Sequence, residues 1–180
     1  MDAERILAFR LARSGLAARS VAGLAEAAAC PASDFTRDAA LLALSARCEG
    51  VSRERYERAT DAGAEVGEAP PGAEAVRRFL GFYGPASAGD FADWAGVAKS
   101  HAEHLWREVE GELSEVAVGK QRLWLLARDA GRLDSPPRAE GVRLIPPGIR
   151  TYRSPTGHCS RRPPSFAGGC FARWRVPGRC

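Results

Sequence analysis

The hydrophobic period changes twice between Ala73 and Asp129, and that change limits the possible folds more than any other feature of the chain. Val76, Phe79, Leu80 and Tyr83 recur at helical steps, which predicts a helix over Ala73–Tyr83 that Gly84-Pro85 ends. Ser87 stands before Asp90 in a capping box with Asp in place of Glu, and predicts a short helix to Trp94 closed by Gly96. From Ala98 to Glu110 a third helix places Ala98, Ala102, Leu105, Trp106 and Val109 on one face. Lys99, Ser100, Glu103, His104 and Arg107 lie on its other sides, and Gly111 closes it. Leu113, Val116 and Val118 then lead through Gly119-Lys120 to Leu123-Trp124-Leu125-Leu126, two short strands joined by a tight turn. Three helices, a strand, a turn and a strand predict a mainly α fold with a small β-wing, a winged helix-turn-helix in which Trp94, Leu105 and Trp106 are buried together.

The residues before this unit read as a small helical domain over Met1–Asp61. Ile6, Phe9, Arg10 and Arg13 fall in a first helix ending near Ser14-Gly15, and a weaker one spans Val21–Ala28 across Gly23. Ser33 or Asp34 can cap a helix whose apolar face is Ala40, Leu41, Leu44 and Cys48. Ser52 caps another, with Val51, Tyr56 and Ala59 inward. Ala62–Gly72, rich in Gly, Pro and acid without periodicity, reads as a linker, and the winged unit occupies residues 73–130. Residues 131–148 form a polar link with a last short strand over Val142–Ile145. Residues 149–180 read as a disordered basic tail.

Charge matters here by its location. The net charge of +4 would favour an anionic partner, but seven arginines and no acid lie in Ile149–Cys180. That leaves 19 basic against 22 acidic residues before the tail, a net of −3. The N-terminal segment carries Asp2 and Glu4 where a signal peptide would be basic, and no apolar run is long enough to span a bilayer, so the expected location is the cytoplasm, away from membranes. Five cysteines without a CxxC pair read as free thiols.

Few residues suggest chemistry. On the third helix of the winged unit, Lys99, Ser100, His104 and Arg107 can meet double-stranded DNA, with Lys120 and Arg122 reaching phosphates from the wing. Glu103, Glu108, Glu110 and Glu112 oppose this by removing any basic excess, and favour a protein partner as the alternative. His101 and His104 share a helix but lack a third ligand at a matching spacing, so a solvated face is the simpler reading and no metal or other cofactor is expected. Trp94, Trp106 and Trp124 fall on apolar stripes and read as core in preference to base-stacking platforms. Asp34, beside Ser33, is the one catalytic candidate, and its simpler role is a helix cap.

The segment FYGPASAGDFADWAG, the following EVEGELSEV and the later GVRLIPP resemble the C-terminal half of bacterial winged-helix proteins related to the interstrand-crosslink DNA glycosylases. LARSGLA, AAACPASDF and AALLALSAR resemble their N-terminal part. The resemblance implies tandem winged helices with a small β-barrel, and hydrolysis of N-glycosidic bonds of alkylated or crosslinked bases in the active members. Where those glycosylases carry Gln-x-Gln or Gln-x-Asp, this chain has CPASD, an acid without a glutamine. Only Ala64–Gly72 separates the N-terminal helices from YGPAS where the family has further winged-helix segments, so the resemblance implies an internally shortened member, and the missing glutamine favours a non-catalytic one over an active glycosylase that uses Asp34. After Gly148 the text departs from the family. A GC-rich back-translation read one base earlier gives DPDLPVADRALL, so a frame slip near Gly148 is one expectation and a nucleic-acid-holding tail the other.

Overall fold

The computed structural model describes residues 2–19, 23, 24, 27, 38–61, 71–139, 141, 142 and 144. In chain order these form α1 (Ala3–Arg13), α2 (Ala39–Arg47), α3 (Arg53–Asp61), α4 (Ala73–Tyr83), α5 (Ala88–Ala95) and α6 (Lys99–Glu108). Single 3-10 turns at Glu110–Glu112 and Ala127–Asp129 bracket the strands β1 (Leu113–Val118) and β2 (Gln121–Leu126), and α7 (Ala130–Asp134) follows. The fold is mainly helical with one small antiparallel sheet, the class the changing period predicts. Residues 62–70 of the expected linker, the segment Cys30–Asp34 and the whole tail 149–180 lie outside the described residues.

The three central helices form where their apolar stripes and caps place them. Val76, Phe79, Leu80 and Tyr83 of α4 are all buried. The Ser87 hydroxyl accepts from the Asp90 backbone N–H at 3.2 Å, and the Asp90 carboxylate accepts from the Ser87 N–H at 2.9 Å, so two otherwise orphaned donors are satisfied at the start of α5. Gly96 ends α5 at φ 67, a left-handed position that glycine takes without a Cβ penalty. Phe79, Phe91, Ala102, Trp106, Val109 and Leu126 meet in one core. Phe79 stands at its centre, with ring centroids 5.6 Å from Tyr83, 5.5 Å from Phe91 and 5.3 Å from Trp94. Two expectations need adjustment. Trp94 and Leu105 pack against this core but stay half-buried, and Ala98 is an exposed N-cap, because α6 begins at Lys99.

The hairpin pairs Leu113 with Leu126 through Val118 with Gln121, closed by Gly119-Lys120. Gly119 takes φ 58 while Lys120 does not take a positive φ, the two-residue turn with glycine first that suits the twist of paired strands. A feature absent from the sequence pattern joins this sheet to the helices. Ala86 and Trp124 exchange both backbone hydrogen bonds at 2.8 Å, so the loop between α4 and α5 adds a single-residue third strand.

Helix α1 packs differently from its place in the sequence. The pattern grouped it with the helices up to Asp61, but Ile6 and Phe9 are buried against Val116, Val118, Leu123, Leu125 and Leu133. Each apolar side chain so removed from water contributes about 1.5–3 kcal/mol. The face of the hairpin that carries Val116, Val118, Leu123 and Leu125 is thus sealed by the N-terminal helix. Arg10 donates from Nη2 to the Pro85 carbonyl at 2.7 Å, and Arg13 donates from Nε to the Gly81 carbonyl at 2.8 Å. Arg13 also stands 3.8 Å from the buried carboxylate of Asp129, which Arg132 contacts at 3.0 Å.

Helices α2 and α3 belong to a smaller cluster of Ala27, Leu44 and Cys48, with Leu24, Val51 and Tyr56 packed against it. Ser52 caps α3 through its hydroxyl, which accepts from the Arg55 N–H at 3.2 Å. Ahead of α2, Asp38 occupies the N-cap at φ 67 without a side-chain cap bond, and its carboxylate instead receives Arg53 at 2.9 Å. Of the expected weak helix Val21–Ala28, Leu24 and Ala27 are helical. Of the expected strand Val142–Ile145, Val142 and Leu144 are irregular and 85% exposed, while Arg143 and Ile145 lie outside the described residues.

Candidate nucleic-acid interface

The inward side of α6 is fixed by Ala102 and Trp106, and the edge of the Trp106 ring faces Trp124 of β2 with centroids 6.5 Å apart. Burying that side leaves Lys99, Ser100, His104 and Arg107 exposed along the opposite face. Its first turn holds no acid, so the partial positive charge of the helix N-terminus adds to Lys99 and is not offset. The hairpin turn carries Lys120 outward, and Arg122 is exposed two residues later.

The six residues fall into two sets, one on α6 and one on the wing, and no hydrogen bond or ion pair joins the sets among the described residues. Lys99 and Lys120 make no ion pair with a described residue. Arg107, His104 and Arg122 are engaged by their own chain. Arg107 donates to the Glu103 carbonyl at 3.3 Å, and His104 Nε2 stands 3.6 Å from the Glu108 carboxylate. Arg122 grips Glu115 with two bonds, Nε to Oε1 at 2.8 Å and Nη2 to Oε2 at 2.5 Å. Those hydrogen bonds, and then the charge beside them, hold the Glu115 carboxyl below its ordinary range and raise the Arg122 guanidinium.

The same pattern recurs at the base of the hairpin. Arg77 of α4 forks onto Glu112 at 2.7 and 3.0 Å and reaches Glu74 at 3.3 Å. Over residues 99–122 four basic side chains face five acidic ones. The role of the acids Glu112 and Glu115 escapes a reading by composition, which counts charge without pairing it. The strand alternation does carry a signal, since residues 115 and 122 fall on one face across a two-residue turn.

Among the described residues no three His, Cys, Asp or Glu side chains gather where a metal ion could be held, and His101 and His104 both remain on the exposed side of α6. No helix among them is long and apolar enough to cross a membrane. Asp34 lies outside the described residues.

The class defined by these observations is a mainly helical domain with a small β-wing, in which α6 presents an exposed polar face. The family model described as DNA glycosylase AlkZ-like matches residues 39–148, more than half of the chain, and the protein belongs to that family. Neither among curated proteins nor among solved structures is there a match to this chain.

Proposed function

We propose that this chain is a winged-helix protein that binds duplex DNA without cleaving glycosidic bonds. In this reading α5 and α6 are the helix-turn-helix, and α6 presents Lys99, Ser100, His104 and Arg107 to the major groove. Lys120 and Arg122 on the wing reach the phosphates. The observation that carries the reading is the placement of Lys99 at the acid-free start of α6 and of Lys120 at the hairpin turn, both exposed and without an ion pair to a described residue. Membership of a DNA glycosylase-like family supports DNA as the partner. The absence of a glutamine from Cys30–Asp34 supports a binding role over hydrolysis.

A second reading is favoured by the four basic against five acidic residues of 99–122: a module that associates with another protein. Titration of the full chain with duplex DNA over a salt series separates the two. Binding that weakens with salt, with a slope that falls by about one unit in Lys99→Gln and in Lys120→Gln, supports DNA recognition. A response flat in salt supports protein association. A base-release assay on alkylated duplex is expected to yield nothing above the protein-free rate, and release abolished by Asp34→Asn would overturn the non-catalytic reading.

A further inference from the structure

We propose that Glu115 sets the affinity of this interface by engaging the guanidinium of Arg122, so that, among the described residues, the wing offers a phosphate one unpaired cation instead of two. The inference rests on the DNA-binding reading above. Its basis is the bidentate geometry: the Nε–Nη2 edge of the Arg122 guanidinium already donates to the two oxygens of Glu115, at 2.8 and 2.5 Å, and the carboxylate neutralises the cation that a phosphate would meet. A carboxylate and a phosphate compete for that edge and for the one positive charge of the group. Arg122 cannot satisfy both at full strength.

The register makes this pairing a property of the hairpin. Arg122 lies opposite Ala117, and Glu115 opposite Trp124, so Glu115 and Arg122 are diagonal neighbours on the exposed face with only a methyl group directly across from the guanidinium. Lys120, at the turn, has no such partner among the described residues. The two cations of the wing therefore differ in kind. Exposed ion pairs contribute little to folding, because solvent screens them and two long side chains must be held in one geometry. Stability is a poor account of this acid, whose charge is felt most by an anion approaching the wing.

Each phosphate neutralised by a cation steepens the fall of log affinity with log salt by about 0.9. In the wild-type chain Arg122 exchanges one anion for another and releases almost nothing, whereas Lys120 contributes a full unit. Removing the charge of Glu115 converts Arg122 into a second contributor.

The test uses the full chain, so that any contribution of residues 149–180 is common to every variant and cancels in the differences. Wild type, Glu115→Gln, Lys120→Gln, Arg122→Gln and the double variant Glu115→Gln/Arg122→Gln are titrated with one duplex over a salt series. Glu115→Gln should bind about fivefold tighter near ~0.1 M salt, with a slope steeper by about 0.9, and the double variant should lose that gain. If Lys120→Gln lowers the slope but Glu115→Gln changes nothing, the clamp is wrong and the DNA reading stands. If the gain of Glu115→Gln persists in the double variant, the acid acts by general repulsion and the inference about Arg122 is overturned. If Lys120→Gln leaves binding unchanged, the wing does not meet DNA and the inference falls with that reading.

Discussion

Arg10 and Pro85 are joined across 75 residues of chain by a buried hydrogen bond of 2.7 Å from guanidinium to carbonyl. Burial lowers the pKa of Arg10, and the nearby Asp90 carboxylate opposes that shift. An arginine remains charged under these conditions, so the turn between α4 and α5 is held by a desolvated cation. Replacing Arg10 with Ala removes the donor and strands a buried carbonyl. The expected cost is about 2–3 kcal/mol by urea denaturation, and a loss within error would show that α1 docks through its apolar residues alone.

Trp106 is 8% exposed and joins α6 to β2 through its edge contact with Trp124. Trp106→Ala should cost about 3–5 kcal/mol, since the surrounding rings cannot close over the lost indole. A melting temperature equal to that of wild type would remove Trp106 from the core.

Gly84 ends α4, and a Cβ placed there would stand 2.6 Å from the Leu80 carbonyl oxygen, a backbone atom with no rotamer to yield. Gly84→Ala should destabilise by about 1–3 kcal/mol, as overpacking does. At Gly111, where nothing lies within 4 Å of such a Cβ, the same change should be nearly neutral in thermal denaturation. Equal effects at the two glycines would contradict the close approach at Gly84.

Glu112 is held below its ordinary carboxyl range, first by hydrogen bonds from Arg77 and then by the charges of Arg77 and Arg128. A pKa depressed on folding gives stability that is present above the unfolded value near ~4.3 and is lost as pH falls through the lower folded value. Nuclear magnetic resonance titration of the Glu112 carboxyl should therefore give a midpoint below that of an unfolded peptide. Arg77→Gln should move it up, and an unmoved midpoint would separate Glu112 from Arg77 in solution.

The sequence by itself determined the elements from Ala73 to Leu126, because each depends on residues a few positions apart, whereas the helix Ala130–Asp134, with Leu133 buried against α1 and the hairpin, lies where the pattern read a polar link. The stripe of α4, the Ser87–Asp90 box, Gly96 and the Gly119-Lys120 turn all act within a turn or two of chain, and each appears where its pattern predicts. The exposure of Lys99, Ser100, His104, Arg107, Lys120 and Arg122 was legible for the same reason, since burying one face of a helix or strand leaves the other outside. Only the tertiary structure decided which surfaces meet. Ile6 and Phe9 form an apolar stripe that would suit many partners, and nothing local selects the hairpin more than a hundred residues away. Likewise Arg10 and Arg13 could serve any carbonyl, and their targets at Pro85 and Gly81 exist only once α1 lies across α4. Ala86 pairs with Trp124 without a strand-like period because one residue has no period to read. The composition counted Glu115 and Arg122 as opposite charges, and the closed hairpin made them a clamp, since register brings their side chains to one face at hydrogen-bond distance.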